Sequence, residues 1–316
     1  MVAGGRTPVQ NAAVADLDPD SPARDVLHRR LTELAERLPA AVAAAREDRD
    51  DGLHRTRTTC RRLRAVLVAY RPLVDRERVE PVRDELRWLA RALGERRDVE
   101  VVGERLGRLL DEEEPRLVRG PVRRRLATHQ RAARRTTGAA DDVLDSDRCA
   151  RLVEAVRRLA ESPPWTVRAD KRASKVVTKR LRKELSRVAD RLDAVPDGEP
   201  GARAERERDE AVHDLRKAVK RLRYAAEVAR PAFGADADRL TKRAKRLTTA
   251  LGDRQDTVET RALLRTLADE AEQSGEPTFT WGRLHAREES AAHAVEADLP
   301  RLWDAVARDK TSGWVR

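Results

Sequence analysis

Leu53–Leu67 reads LHRTRTTCRRLRAVL, and Val212–Ala226 reads VHDLRKAVKRLRYAA. The two stretches are copies of one pattern. His54, Arg57, Arg61, Arg62, Leu63 and Arg64 fall opposite His213, Arg216, Lys220, Arg221, Leu222 and Arg223. An α-helix turns about 100° per residue, so positions 54, 57, 61 and 64 lie within roughly 80° of arc, as do 213, 216, 220 and 223. The other face carries Thr59, Leu63, Val66, Leu67 and Tyr70 in one copy, and Ala218, Val219, Leu222, Ala225 and Ala226 in the other. Each copy is therefore an amphipathic helix with an apolar back and a basic front headed by a histidine. A cationic stripe used twice points to a long anion.

Composition agrees with a helical chain. The 316 residues are 40% hydrophobic, 39% charged and only 3% aromatic. The charged share exceeds the usual ~25%, and Ala, Leu, Arg and Glu dominate, as in long helices. The formal net charge is +11. Arg outnumbers Lys by 58 to 9, which genomic base composition can explain. The excess of positive over negative charge calls instead for an anionic partner: nucleic acid, acidic lipid or polyphosphate. Cys60 and Cys149 form no C-x-x-C pair, so a reducing cytoplasm is expected, with Cys60 a small core residue. The first residues lack the apolar core of a signal peptide, and no run reaches the ~18 apolar residues of a membrane span. No membrane association is expected.

The repeat reaches beyond the histidine helices. VLHRRLTELAERL (26–38) matches VVTKRLRKELSRV (176–188) at a shift of 150, predicting helices over 23–46 and 172–192. WLARALGERRD matches RLTTALGDRQD at a shift of 158. Here Gly94 and Gly252 suit helix C-caps of positive φ, and Asp98 and Asp256 suit the next N-caps. Pro72 and Pro231 are expected to stop the two histidine helices. VVGERLGRLLDEE and RALLRTLADEA read as a fourth helix in each half. Helices near 116–135 and 281–298 form the fifth pair, and one over 148–161 leads to the boundary SPPW at 162–165. The expected fold is all-α: two pseudo-symmetric helical-bundle halves, about 23–161 and 166–308, with a basic groove between them. Residues 1–22 read as a disordered lead-in and 309–316 as a tail.

Candidate site residues follow from the stripes. Arg57, Arg61 and Arg64, with Arg216, Lys220 and Arg223, recur at i, i+3/i+4 spacing, and arginine's fork matches phosphate oxygens. Residues 54–72 contain no acid, whereas a solvated helix face is usually laced with Glu. His54 and His213 sit among cations that disfavour a protonated imidazole, and a bound polyanion would reverse that. They serve either as ligand contacts or as packing residues. Neither has an i+4 His or carboxylate on its face, so no metal is expected, nor any cofactor. Weaker candidates for anion contact are Arg29, Lys175, Lys179 and Arg182 on the first helices, Arg62 and Arg221 beside the stripes, and the matched pairs Arg87/Lys245 and Arg125/Arg283. Phosphate-binding glycine loops, nucleophile elbows and H-E-x-x-H are all missing, and no other catalytic constellation appears. No enzyme activity is expected.

The duplicated H-x₂-R-x₃-[RK]-R-L-R, followed by L-G-[ED]-R-x-D in both halves, resembles the CHAD family, the conserved histidine α-helical domain, over about residues 23–308. The resemblance implies two four-helix bundles with a basic channel between them. It also implies binding of inorganic polyphosphate and, in several members, targeting to polyphosphate granules in the cytoplasm. It marks His54, Arg57, Arg61, Arg64, His213, Arg216, Lys220 and Arg223 as the polyphosphate-binding stripe. The E-x-E-x-K motif of the triphosphatase domain fused to some members is missing here, so that activity is not carried over. A nucleic-acid-binding helical protein and an accessory enzyme of polyphosphate metabolism are the alternative readings.

Overall fold

A computed structural model describes residues 17–49, 51–136, 139–196 and 202–315. The lead-in up to residue 16 lies outside them. Among the described residues there are eleven α-helices and no β-strand. In chain order they are α1 (Ala23–Arg46), α2 (Gly52–Ala69), α3 (Arg76–Ala92), α4 (Gly94–Asp111), α5 (Val122–Thr136), α6 (Ala139–Asp145), α7 (Asp147–Glu161), α8 (Ala173–Asp193), α9 (Ala202–Gln273), α10 (Phe279–Ala307) and α11 (Asp309–Ser312). The all-α expectation holds, and the predicted spans of α1, α7 and α8 match to within a residue or two.

The apolar backs of the histidine helices do what their periodicity requires. Leu63, Val66, Leu67 and Tyr70 on α2, and Val219, Leu222, Ala225 and Ala226 on α9, are almost fully buried in one apolar cluster. Burying each large side chain stabilises the fold by about 1.5–3 kcal/mol. The Tyr70 hydroxyl donates to the Ala225 carbonyl at 2.9 Å, which ties the two histidine helices together. A short turn sets α2 against α1. A Cβ on Gly52 would lie 2.2 Å from the Ala45 nitrogen, so only glycine fits that close approach.

The apolar clusters do not divide at the duplication boundary. The first joins α1, α2, α3, α7 and α8 to both arms of α9, from Val212 to Leu251, and to the end of α10. The second joins α4 and α5 to Leu264, Leu267 and Ala271 of α9 and to Trp281 and Leu284 of α10. Each cluster draws on both halves. The starts of α1 and α8 also pair with one another: Ala23 N–H donates to Lys171 O at 2.9 Å, and Ala173 N–H to Ser21 O at 2.8 Å. The SPPW segment returns to the first half, where Asp75 N–H donates to Pro164 O at 2.7 Å.

Three local expectations are corrected. Pro231 lies inside α9 and does not stop it; the chain turns at Gly234, whose φ of 46° and ψ of −121° suit glycine. The two arms of α9 then run antiparallel, as the 3.1 Å contact of His213 Nδ1 with Gln255 Oε1 shows. Neither Gly94 nor Gly252 has a positive φ. Gly94 opens α4, and Gly252 lies within α9, where a Cβ would stand 3.6 Å from Arg216 Nη2. Glycine at 252 caps nothing, and a Cβ there would only touch the guanidinium. Asp98 and Asp256 are accordingly interior to α4 and α9 and are not N-caps.

Candidate functional site

A recess of about 430 Å³ opens where α2 crosses α9 beside α8. Arg61, Arg64, Ala65 and Val68 of α2 form one wall, Arg187 and Arg191 of α8 another. Asp214, Lys217, Ala218, Lys220, Arg221 and Tyr224 of α9 complete it. The fold thus brings Arg61 and Arg64 together with Lys220 and Arg221 across the two halves.

The charge density of this recess shows in its titration. Lys220 is largely desolvated, and Arg216, Arg61 and Arg223 add repulsion, so its ammonium pKa is pushed down to about 7; Asp256 opposes this weakly. Burial, with Arg87, Arg83 and Arg91 nearby, holds the Arg64 guanidinium below its ordinary value. It stays charged, because an arginine is not deprotonated in proteins. Burial likewise pushes the Asp256 carboxyl up, against the pull of Arg216 and Arg105.

Not every stripe residue faces the recess. Arg57 is only 7% exposed, deeper than a solvent-facing position. Arg223 is drawn inward, its Nε 3.4 Å from the Glu227 carboxylate and its guanidinium 4.8 Å from the Tyr224 ring centroid. Glu227 is itself buried and also takes an ion pair from Arg30 of α1, with Arg62 Nε at 3.8 Å. This carboxylate anchors three arginines from three helices. Arg216 is half-buried on α9 against Gly252 and Asp256.

The histidines lie apart. His213 contacts Gln255 and lines a recess of about 610 Å³ together with Glu207, Asp209, Glu210, Asp214, Arg191 and Lys217. That recess adjoins the basic one, sharing Arg191, Asp214 and Lys217. His54 Nε2 is 3.3 Å from Thr58 Oγ1 and lines a smaller recess between α1 and α2. The weaker candidates scatter. Arg221 lines the basic recess, and Arg62 lines the His54 recess. Arg182 donates to Val315 O at 3.0 Å. With Lys175 and Lys179 it occupies a face about a third of a turn around α8 from Arg187 and Arg191. Arg87 pairs with Asp84 at 3.0 Å, Arg125 pairs with Glu276, and Arg283 pairs with Glu113 at 2.6 Å. Arg29 is half-exposed on α1 and Lys245 exposed on α9.

Sequence reasoning missed Arg187, Arg191 and Lys217. A signal existed for the first: at the shift of 150 that aligns α1 with α8, Arg37 stands opposite Arg187. Among the described residues no group of His, Cys, Asp and Glu is placed to hold a metal ion, and no helix is long and apolar enough to cross a membrane.

Comparison with known proteins agrees with this architecture. The CHAD domain family model matches residues 13–265. An uncharacterised protein of Mycobacterium tuberculosis, found in two strains, is 36% identical over 299 residues, covering 91% of this chain and 55% of the relative. The chain thus spans about half the length of the curated relatives it matches. Among solved structures, PptA from Streptomyces chartreusis superposes with a TM-score of 0.71 at 21% identity, over 90% of this chain and 100% of that one. The CHAD domain from the plant Ricinus communis superposes with a TM-score of 0.68 at 22% identity, over 96% and 97%. At these identities the two structures bear on the fold alone.

Proposed function

The chain belongs to the CHAD family, and on that premise we propose that it binds inorganic polyphosphate in the basic recess between α2, α8 and α9. One observation carries the reading. Lys220 is held among Arg216, Arg61 and Arg223 at a cost large enough to bring its pKa to about 7. Like charges gathered out of water destabilise a fold unless an anion joins them. A recess of about 430 Å³ between helices suits a thin phosphate chain better than a duplex, a broad cylinder that needs a wide surface. Single-stranded nucleic acid is the nearer competitor, but its recognition uses exposed aromatic platforms. Tyr224, the one aromatic lining the recess, is buried beneath Arg223.

The reading is of binding without turnover, in the cytoplasm, with polyphosphate granules as the place where the ligand would concentrate the protein. A competition experiment tests it. Labelled long-chain polyphosphate is displaced by unlabelled polyphosphate, duplex DNA or single-stranded RNA at near-physiological salt, since salt weakens every polyanion contact. Polyphosphate is expected to displace at the lowest phosphate concentration. Equal or better displacement by nucleic acid, phosphate for phosphate, would overturn the proposal in favour of the nucleic-acid reading. The triple variant Arg61→Gln/Arg64→Gln/Arg221→Gln is expected to lose affinity, each lost charge-assisted contact being worth about 1.5–3 kcal/mol. Orthophosphate released from polyphosphate with Mg²⁺ or Mn²⁺ would instead promote the accessory-enzyme reading.

A further inference from the structure

We propose that the recess between α1 and α2, lined by Arg37, His54, Arg55, Thr58 and Arg62, is a second phosphate station, separate from the central recess and bridged to it by one long polyphosphate chain. The inference rests on the polyphosphate reading above and extends it to a site of different composition.

The two recesses are repeat-related. Helix one repeats at a shift of 150 and helix two at a shift of 159. Of the eight residues lining the α1/α2 recess, six have repeat partners in the lining of the central recess. Arg37 corresponds to Arg187 and Arg62 to Arg221, so basic residues are kept at both matched positions. Arg55 replaces Asp214, which removes the one acid of the central lining, and Thr58 replaces Lys217, which exchanges an ammonium for a hydroxyl donor. The α1/α2 recess, about 330 Å³, is therefore lined by three arginines, a histidine, two threonines and two alanines, without a carboxylate. The nearest acid on α1, Glu33, is engaged by Arg30 and Arg37, which hold its carboxyl below the usual range despite partial burial. Guanidinium forks with a hydroxyl between them match the oxygens of a phosphate group.

The stations are separate because of one exchanged position. Val68 lines the central recess and leaves its cations exposed to a ligand. Its repeat partner is Glu227, which gathers Arg30, Arg62 and Arg223 into one buried cluster. That carboxylate engages Arg62 of the α1/α2 recess and Arg223 of α9 at once, and the two recesses share no lining residue. A short phosphate chain then occupies either station, while a long chain passing around α2, a cylinder about 10–12 Å across, reaches both.

Titration calorimetry with tripolyphosphate and with long-chain polyphosphate tests this on the full chain. Arg37 and Arg55 are exposed, so substituting them leaves the core intact. Wild type is expected to bind two tripolyphosphates per chain. Both Arg37→Glu/Arg55→Glu and the central variant Arg64→Glu/Arg221→Glu are expected to bind one. Long-chain affinity in the first variant should fall about 100-fold or more, as the bridging advantage is lost. Stoichiometry is the deciding readout, because a general loss of charge weakens binding without changing the number of sites. One site in wild type, untouched by Arg37→Glu/Arg55→Glu and abolished by the central variant, would overturn the second station and leave the polyphosphate reading standing. If neither ligand binds wild type, the polyphosphate reading fails and the second station with it.

Discussion

Lys220 makes polyphosphate affinity depend on pH in a window that no ordinary side chain of the site covers. In the free protein its pKa is about 7, lowered first by burial and then by Arg216, Arg61 and Arg223. A polyanion beside it favours the charged form and returns the pKa toward the ordinary lysine value of 10.5. Binding then takes up a proton wherever free Lys220 is neutral. Half of the free lysines are protonated at pH 7 and about one in a hundred at pH 9. Affinity for the charged form is unchanged, so observed affinity should fall about 50-fold from pH 7 to pH 9. The sign for stability is consistent. Between pH 7 and 10.5 the unfolded chain holds a proton on this lysine that the folded chain has lost, so the ligand-free fold gains stability as pH rises through that range. The assay is binding of long-chain polyphosphate, whose few terminal phosphates contribute little titration, at constant salt. Lys220→Arg carries a fixed charge and should flatten the profile. Equal slopes in wild type and Lys220→Arg would refute the reasoning.

Three other outcomes are expected. Glu227→Gln leaves Arg30, Arg62 and Arg223 around an uncharged group, and breaking a buried pair costs about 3–5 kcal/mol, so the denaturation midpoint should drop sharply; a shift equal to that of an exposed Glu→Gln control such as Glu210→Gln would contradict the anchoring role. Gly252→Ala should be neutral to stabilising by up to about 1 kcal/mol, since the site is helical and the new Cβ stands at ordinary contact distance from Arg216; clear destabilisation in a denaturant melt would restore the positive-φ cap. The Cys60 thiol is pushed up to about 12 by burial, so it should resist alkylation at pH 8 in the native protein and react once unfolded; rapid native labelling at Cys60, located by mass spectrometry, would count against its burial.

What the sequence determined by itself was local and periodic. Apolar spacing on α1, α7 and α8 set their spans, because a 3.6-residue period is written into each helix and needs no partner to be read. The duplicated histidine helix, with its missing acids, marked the basic surface and the family for the same reason. Tertiary structure decided whatever depends on what a side chain meets. Glycine at 252 reads as a cap, and only its place inside α9 without a positive φ shows that it is not one. Pro231 looks like a stop, yet the reversal belongs to Gly234, where the arms fold together. Arg57 shares a stripe with Arg61 and Arg64, and Arg223 with Lys220, but a helical wheel does not show depth. Packing buries the first, and Glu227, one turn further along α9 and itself buried, draws the second inward. Arg187 and Arg191 join the site only because α8 is set beside α2 by pairing of the α1 and α8 starts and burial of one apolar cluster. Charge periodicity names the cations; which of them face a common ligand is fixed by packing between helices.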